Sequence, residues 1–219
     1  MKPDNQDWTF DTPGIASTFE NHLSEQLPWI EHCYELLFHI GRHYLCYNAV
    51  MYDIGASTGN VTRTLADLIT RRNVTATSIE MSVEMCSVWN GVGSIINEDV
   101  LTYEFNEFDF AVCFLTIMFL PVADRGRFVK QLYDKLKVGG AIFILDKVQP
   151  TKGYVGLIMQ QFATYQKIKN GILPELILEK EMSLCGIQRP IDSVNLFSEI
   201  PFVQVFQMGN FAGWVLTKE

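Results

Sequence analysis

With 219 residues, 48% of them hydrophobic and 19% charged, the chain suits one large domain with a full core and excludes a disordered or fibrous class. Its net charge of −8 argues against a broad phosphate-binding surface, and before Val61 the only lysine or arginine side chains are Lys2 and Arg42. No uncharged apolar stretch is long enough to span a bilayer, and "MKPDNQDW" lacks the apolar core of a secretory leader, so a cytoplasmic protein without a membrane partner is expected.

Residues 1–47 read as a helical, aromatic cap, with Pro28 opening a helix that carries Trp29, Tyr34, Leu37 and Phe38 on its apolar side. Strand and helix then alternate. "NAVMYDI" reads as a short buried strand, "NVTRTLADLITRR" as an amphipathic helix and "VTATSIE" as a second strand. "VEMCSVWN" is a short helix, "GSIIN" is strand-like, and "DFAVCFLTIMF" is the longest apolar run. "ADRGRFVKQLYDKLKVGG" predicts a helix stopped by Gly139 and Gly140, followed by the apolar strand "AIFILD". A mostly helical insertion spans 149–199. "FVQVFQM" and "FAGWVLT", separated only by Gly209 and Asn210, then form a hairpin. The expected fold is α/β: one domain over 1–219 with a Rossmann-like, seven-stranded, mostly parallel sheet. Helices cover both faces, and an antiparallel strand comes from the C-terminal hairpin.

In an open parallel sheet, ligands sit at the carboxyl ends of the strands, which singles out "YDIGASTGN", Tyr52 to Asn60. A P-loop needs a lysine and a Ser or Thr at the helix start, but Gly59 is followed by Asn60 and Val61. A dinucleotide fingerprint needs G-x-G-x-x-G; here the turn runs Gly55, Ala56, Ser57, Thr58, Gly59, with Asp53 two residues before it. A pyrophosphate would meet the Asp53 charge. S-adenosylmethionine (SAM) fits better, because it carries a sulfonium and an ammonium and has no phosphate. Glu80 ends the second strand, where a carboxylate can accept both ribose hydroxyls, and Asp99 follows the third, where an acid can meet an adenine amino group.

These motifs resemble the class I SAM-dependent methyltransferases over about Ala49 to Glu219. Within that superfamily the chain is most similar to the carboxy-SAM synthases of tRNA wobble-uridine modification, which combine SAM with prephenate. The likeness runs through "DWTFD", "YDIGASTG", "FLTIMFLP", "LYDKLKVGGAIFILDK", "KNG" at 169–171 and "DSV" at 192–194. It implies that Asp53, Gly55, Ser57 and Gly59, with Ala56 in the turn, cradle the methionine part, and that Glu80 holds the ribose. It further implies that Met81 and Met85 flank the adenine, that Asp99 and Val100 cap it, and that Phe114 and Leu115 line the pocket near the sulfonium. That family holds its extra carboxylate with an Asn after strand four and an Arg near the later helices; Phe114 and either Glu181 or Met182 stand there in this chain. Arg189 substitutes only if its loop folds inward. The expected ligand is therefore SAM itself, and the expected activity is methyl transfer to a small molecule. A carboxy-SAM synthase-like enzyme and a non-catalytic SAM-binding protein are the alternatives. The resemblance also implies a homodimer.

No catalytic residue stands out, because methyl transfer from a sulfonium mainly needs in-line placement of the acceptor. His39 and His43 share a helical face with His32 nearby; without a motif glutamate or a cysteine pair they read as exposed residues rather than as a metal site. Trp8, Phe10, Phe19, Trp29 and Tyr34 are candidates for an aromatic lid, and Met159, Phe162 and Tyr165 for the opposite wall. Lys152, Lys167 and Lys169 read as a solvated face. Cys33, Cys46, Cys86, Cys113 and Cys185 read as reduced, mostly buried thiols. "FLTIMFLP" replaces the D/N-P-P-aromatic motif of exocyclic-nitrogen methylation, which makes a nucleic-acid acceptor less favoured.

Overall fold

The structure, a computed structural model, describes residues 15–150 and 152–219. "DWTFD", with Trp8 and Phe10, lies outside the described residues.

Helices α1 (Ile15–Gln26) and α2 (Ile30–Tyr44) precede the sheet. In α2 the buried positions Ile30, Cys33, Leu37 and Gly41 recur at helical spacing, so one stripe faces the core. Gly41 lets α2 approach closely, since a Cβ there would lie 2.9 Å from Leu65 Cδ2. Strands β1 (Val50–Ile54), β2 (Thr75–Glu80), β3 (Ser94–Asn97), β4 (Phe108–Phe114) and β5 (Leu136–Lys147) are mutually parallel where they pair. Between them run α3 (Asn60–Thr64), α4 (Ala66–Arg71), α5 (Val83–Val88) and α6 (Val122–Lys135). After β5 come α7 (Tyr154–Lys169), α8 (Pro174–Ser183) and α9 (Ser193–Leu196), then the hairpin of β6 (Phe202–Met208) and β7 (Phe211–Thr217).

The sheet order is β3-β2-β1-β4-β5-β7-β6, with β7 antiparallel to both of its neighbours. The period-two alternation of each strand feeds two cores. Tyr52, Ile54, Ala111, Cys113, Ile142 and Ile144 pack with Phe128 and Leu132 of α6 on one face. Met51, Phe110, Val112 and Phe143 pack with Leu37, Val61 and Leu65 on the other. The strand order reverses between β1 and β4, which opens a crevice at their carboxyl ends.

Two expected helices shift, and the longest apolar run divides. The helix expected to run to Gly139 ends at Lys135, because Leu136 is already extended and pairs with Phe108. Gly139 and Gly140 lie inside β5, where the register shifts, and Gly139 at φ 80° donates its N–H to Lys218 O. The apolar run "DFAVCFLTIMF" extends beyond β4. It leaves the sheet at Leu115 (φ 59°) and closes into a 3-10 turn, Ile117–Phe119. The helix after the loop is interrupted at Leu65, although Ile69 N still donates to Leu65 O.

Candidate functional site

Chain reversal after β1 demands backbone that most residues avoid. Gly55, Ser57 and Gly59 all have positive φ, at 69°, 47° and 96°. The N–H groups of Gly55 and Ala56 donate to Ile79 O at 2.9 and 3.1 Å, tying the turn to the end of β2. A Cβ on Gly55 would lie 2.5 Å from Thr116 Cγ2, and one on Gly59 would lie 2.6 Å from Gly91 N. Both glycines are thus fixed by conformation and by close neighbours.

The same turn organises the acids. Glu80, at the tip of β2, accepts from Ser57 N at 2.7 Å and from Ser82 N at 2.9 Å, which fixes its carboxylate. Asp99 is held by Leu101 N, 2.9 Å from Oδ1. Asp53 is 1% exposed, and among the described residues neither of its oxygens has a hydrogen-bond partner. Burial first, and then the nearby Glu80 charge, push its pKa up to about 8. Ser78 stands opposite it in the β1–β2 register and offsets the rise only in part; its hydroxyl makes no well-formed hydrogen bond either.

A cavity of about 530 Å³ opens over this corner. Gly55, Ala56, Ser57, Glu80, Met81, Asp99, Val100, Phe114 and Leu115 all line it, so nine of the twelve sequence-derived site residues share one wall. Asp53, Gly59 and Met85 do not. Asp53 lies beneath the wall, Gly59 precedes α3, and Met85 is fully buried with its sulfur 3.5 Å from Ser57 Oγ. Met85 therefore packs beneath the turn. Phe19, Leu23 and Tyr34 close the cavity from α1 and α2, and the Tyr34 ring stacks on Phe114 at 4.9 Å and 11°. Glu20 anchors α1 to the turn through Thr58 Oγ1 at 2.8 Å and through Arg63.

Other aromatic candidates fall elsewhere. Trp29 packs on Phe206 and Phe211, while Met159, Phe162 and Tyr165 are not in the cavity wall. His32, His39 and His43 are exposed and lie outside it. Cys33 and Cys113 are buried, but Cys46 and Cys185 are exposed, which corrects the expectation of mostly buried thiols. Arg189 does not enter the cavity either. Its backbone N–H donates to Met118 O and its carbonyl accepts from Arg125.

The far wall holds residues that the sequence did not single out for binding. Lys147, at the end of β5, Lys167 of α7 and Lys180 of α8 all line the cavity, so Lys167 does not belong to a solvated face. Burial, then Lys167 and Lys147, push the Lys180 pKa down to about 8, and burial leads the lowering at Lys147. Lys147 was legible only as a cation directly after an apolar strand; Lys180 left no local signal. Behind this wall, buried Asp146 accepts from Met118 N and Lys147 N, and burial raises its pKa to about 7. Arg125 clamps the 3-10 turn to the 189–190 segment by donating to the carbonyls of Met118, Leu120 and Arg189.

Residues 52–144 match the family of methyltransferase domains. The chain is similar to a carboxy-S-adenosyl-L-methionine synthase from Staphylococcus epidermidis, 28% identical over 96% of this chain and 97% of that protein. It is also similar to one from Nautilia profundicola, 24% identical over 99% and 97%. Among solved structures it is similar to a putative SAM-dependent methyltransferase from Methanococcus maripaludis, with TM-score 0.58, 14% identity, and 96% and 94% coverage. A complex of DhpI with SAH gives TM-score 0.60, 10% identity, and 93% and 92% coverage. Residues 52–144 thus match a methyltransferase domain, the fold is that of solved SAM-dependent methyltransferase structures, and along nearly its whole length the chain resembles the carboxy-SAM synthases.

Proposed function

We propose that the protein transfers a methyl group from SAM to a small-molecule acceptor. The observation that carries this reading is the orphaned Asp53 carboxyl beneath a tight glycine turn, beside Glu80 at the switch point of the sheet. A buried carboxyl without a partner suits a cationic ligand and opposes a pyrophosphate. On this reading Glu80 holds the ribose, and Asp99 with Val100 and Met81 borders the adenine. The Gly55–Ser57 backbone cradles the amino-acid end. Asp53 acts through its charge from below, and Met85 and Gly59 support the turn. Phe114 and Leu115 border the sulfonium, with the Tyr34–Phe114 stack offering ring faces to a cation. When bound, SAM supplies a methyl group on a good leaving group. The chain's residues then have to align the acceptor and exclude water, with no obligatory base.

A carboxy-SAM synthase-like activity is the second reading, favoured by the names of the relatives that match over nearly the full chain. Mass spectrometry of the ligand carried through purification separates the two. SAM or SAH, with a saturable thermal stabilisation on adding SAH, is expected. Carboxy-SAM would establish the second reading, and an empty protein that SAH does not stabilise would sink both.

The acceptor proposed is a small molecule rather than a nucleic acid, in keeping with the net charge of −8. A homodimer is also proposed. Exposed Val155, Ile158 and Phe162 of α7, and Val203 and Val205 of β6, support an apolar interface, which light scattering would test. Exposed Cys46 and Cys185 without a disulfide suit a reducing cytoplasm. Among the described residues no helix is long and apolar enough to cross a membrane.

A further inference from the structure

The cavity is electrically two-sided. Its β1–β3 side carries Glu80 and Asp99, with Asp53 beneath. Its other side carries Lys147, Lys167 and Lys180, delivered by three separate elements. Lys147 Nζ is aimed by Gln188 Oε1 at 2.7 Å, and Lys167 Nζ lies 3.7 Å from Glu181 Oε1. Three ammonium groups thus gather in one wall, with the half-exposed Glu181 carboxylate beside them, in a chain whose net charge is −8. Such a cluster repels itself and resists desolvation, and both effects depress Lys180. An anion placed among the lysines would offset both. The same lining carries apolar Phe119, Leu120, Leu184 and Pro190 beside polar Gln160, Thr164 and Gln188.

We propose that Lys147, Lys167 and Lys180 form a subsite for the anionic group of the acceptor, a small acid with an apolar body. This deepens the reading of the same cavity as a SAM site and rests on it. The subsite's lysines stand at none of the positions at which the resembled family holds its carboxylate: Phe114 is apolar, and of the two residues at the arginine position Glu181 lines the cavity as an acid beside Lys167 while Met182 is exposed and outside the wall. It also determines which acceptors are refused: a neutral analogue leaves the mutual repulsion of the lysines in place.

The test begins with SAH, whose affinity is measured by calorimetry on the wild type, Lys180→Met and Lys167→Gln. The SAH-saturated proteins are then titrated with benzoate, phenylacetate, malonate and inorganic phosphate at constant ionic strength, with benzamide as the neutral control. Thermal shift and the 13C NMR titration of the lysine side chains are the readouts. At least one anion is expected to saturate and to raise the lysine that titrates near pH 8, while benzamide does neither. Each variant should weaken that anion about 10- to 100-fold, the loss typical of one charge-assisted contact, and leave SAH affinity within about twofold. No saturable anion, or variants that bind it as the wild type does, would overturn the subsite. SAH failing to bind at the outset would instead overturn the SAM reading.

Discussion

Asp53→Asn keeps the size of the buried side chain and removes its titration. In the wild type the folded pKa stands at about 8, against 3.8 for the unconstrained group. Between those values the folded protein holds a proton that the unfolded chain has released. The stability linked to Asp53 is therefore fully present below pH 3.8 and is lost as pH rises through about 8. One proton corresponds to about 1.4 kcal/mol per pH unit, so from pH 5 to 7 this group costs nearly 3 kcal/mol. At pH 7 the interval above 3.8 is about three units, which makes the Asp53→Asn variant more stable than the wild type by up to about 4 kcal/mol. Asp146 adds a similar slope up to about pH 7, and Lys180, titrating near 8, does not enter the window. Urea denaturation of the ligand-free protein at several pH values measures the slopes. The wild type should lose stability steeply from pH 5 to 7, and Asp53→Asn should lose it with about one proton less. Parallel lines for the two proteins would refute the placement of Asp53 as an unpartnered buried acid. On the proposed reading SAM should bind the variant at least about tenfold more weakly, because the stabilised form lacks the negative charge beneath the turn that would attract the ammonium. Binding to the wild type near pH 6.5 should also release a proton, detectable by calorimetry in two buffers of different ionisation enthalpy.

Gly55→Ala should cost about 1–3 kcal/mol and abolish SAM binding, since the new methyl meets Thr116 at 2.5 Å from a backbone at φ 69°; a thermal melt with and without SAH reads both effects. Glu80→Gln keeps one carbonyl oxygen for the two amides of Ser57 and Ser82, so SAH affinity should fall at least tenfold or so by calorimetry. Because the Glu80 charge helps to raise Asp53, the same variant should move the upper end of the pH-dependent stability window downward. Arg125→Met removes the side-chain donor to the carbonyls of Met118, Leu120 and Arg189, of which Met118 O keeps only the Arg189 N–H, and should cost about 3–5 kcal/mol in urea denaturation, with the 189–190 segment becoming protease-sensitive.

The side of the cavity assigned to the nucleoside was legible as a cluster because its residues sit at strand ends, where sequence position and spatial position coincide. Glu80 follows β2, Asp99 follows β3, and the glycine turn follows β1, so alternation alone brought them together. The hairpin was legible from Gly209 and Asn210, but its insertion was not. β7 displaced β6 from the side of β5 because Ala212, Trp214, Val215 and Leu216 are buried, whereas β6 is an exposed edge. What sequence spacing missed in Asp53 was depth: two residues before the turn, it lies under the wall and not in it. The lysine side was the least legible. Lys167 and Lys180 come from helices with no sharp apolar stripe, and only the packing of α7 against α8 beside the end of β5 turns them toward one cavity. Strand ends therefore encode the proposed donor half in local motifs, while the half proposed to select the acceptor is assembled by helix packing. If the lysines form the proposed subsite, substitutions among Lys147, Lys167 and Lys180 change what is accepted without touching any motif by which the fold is recognised.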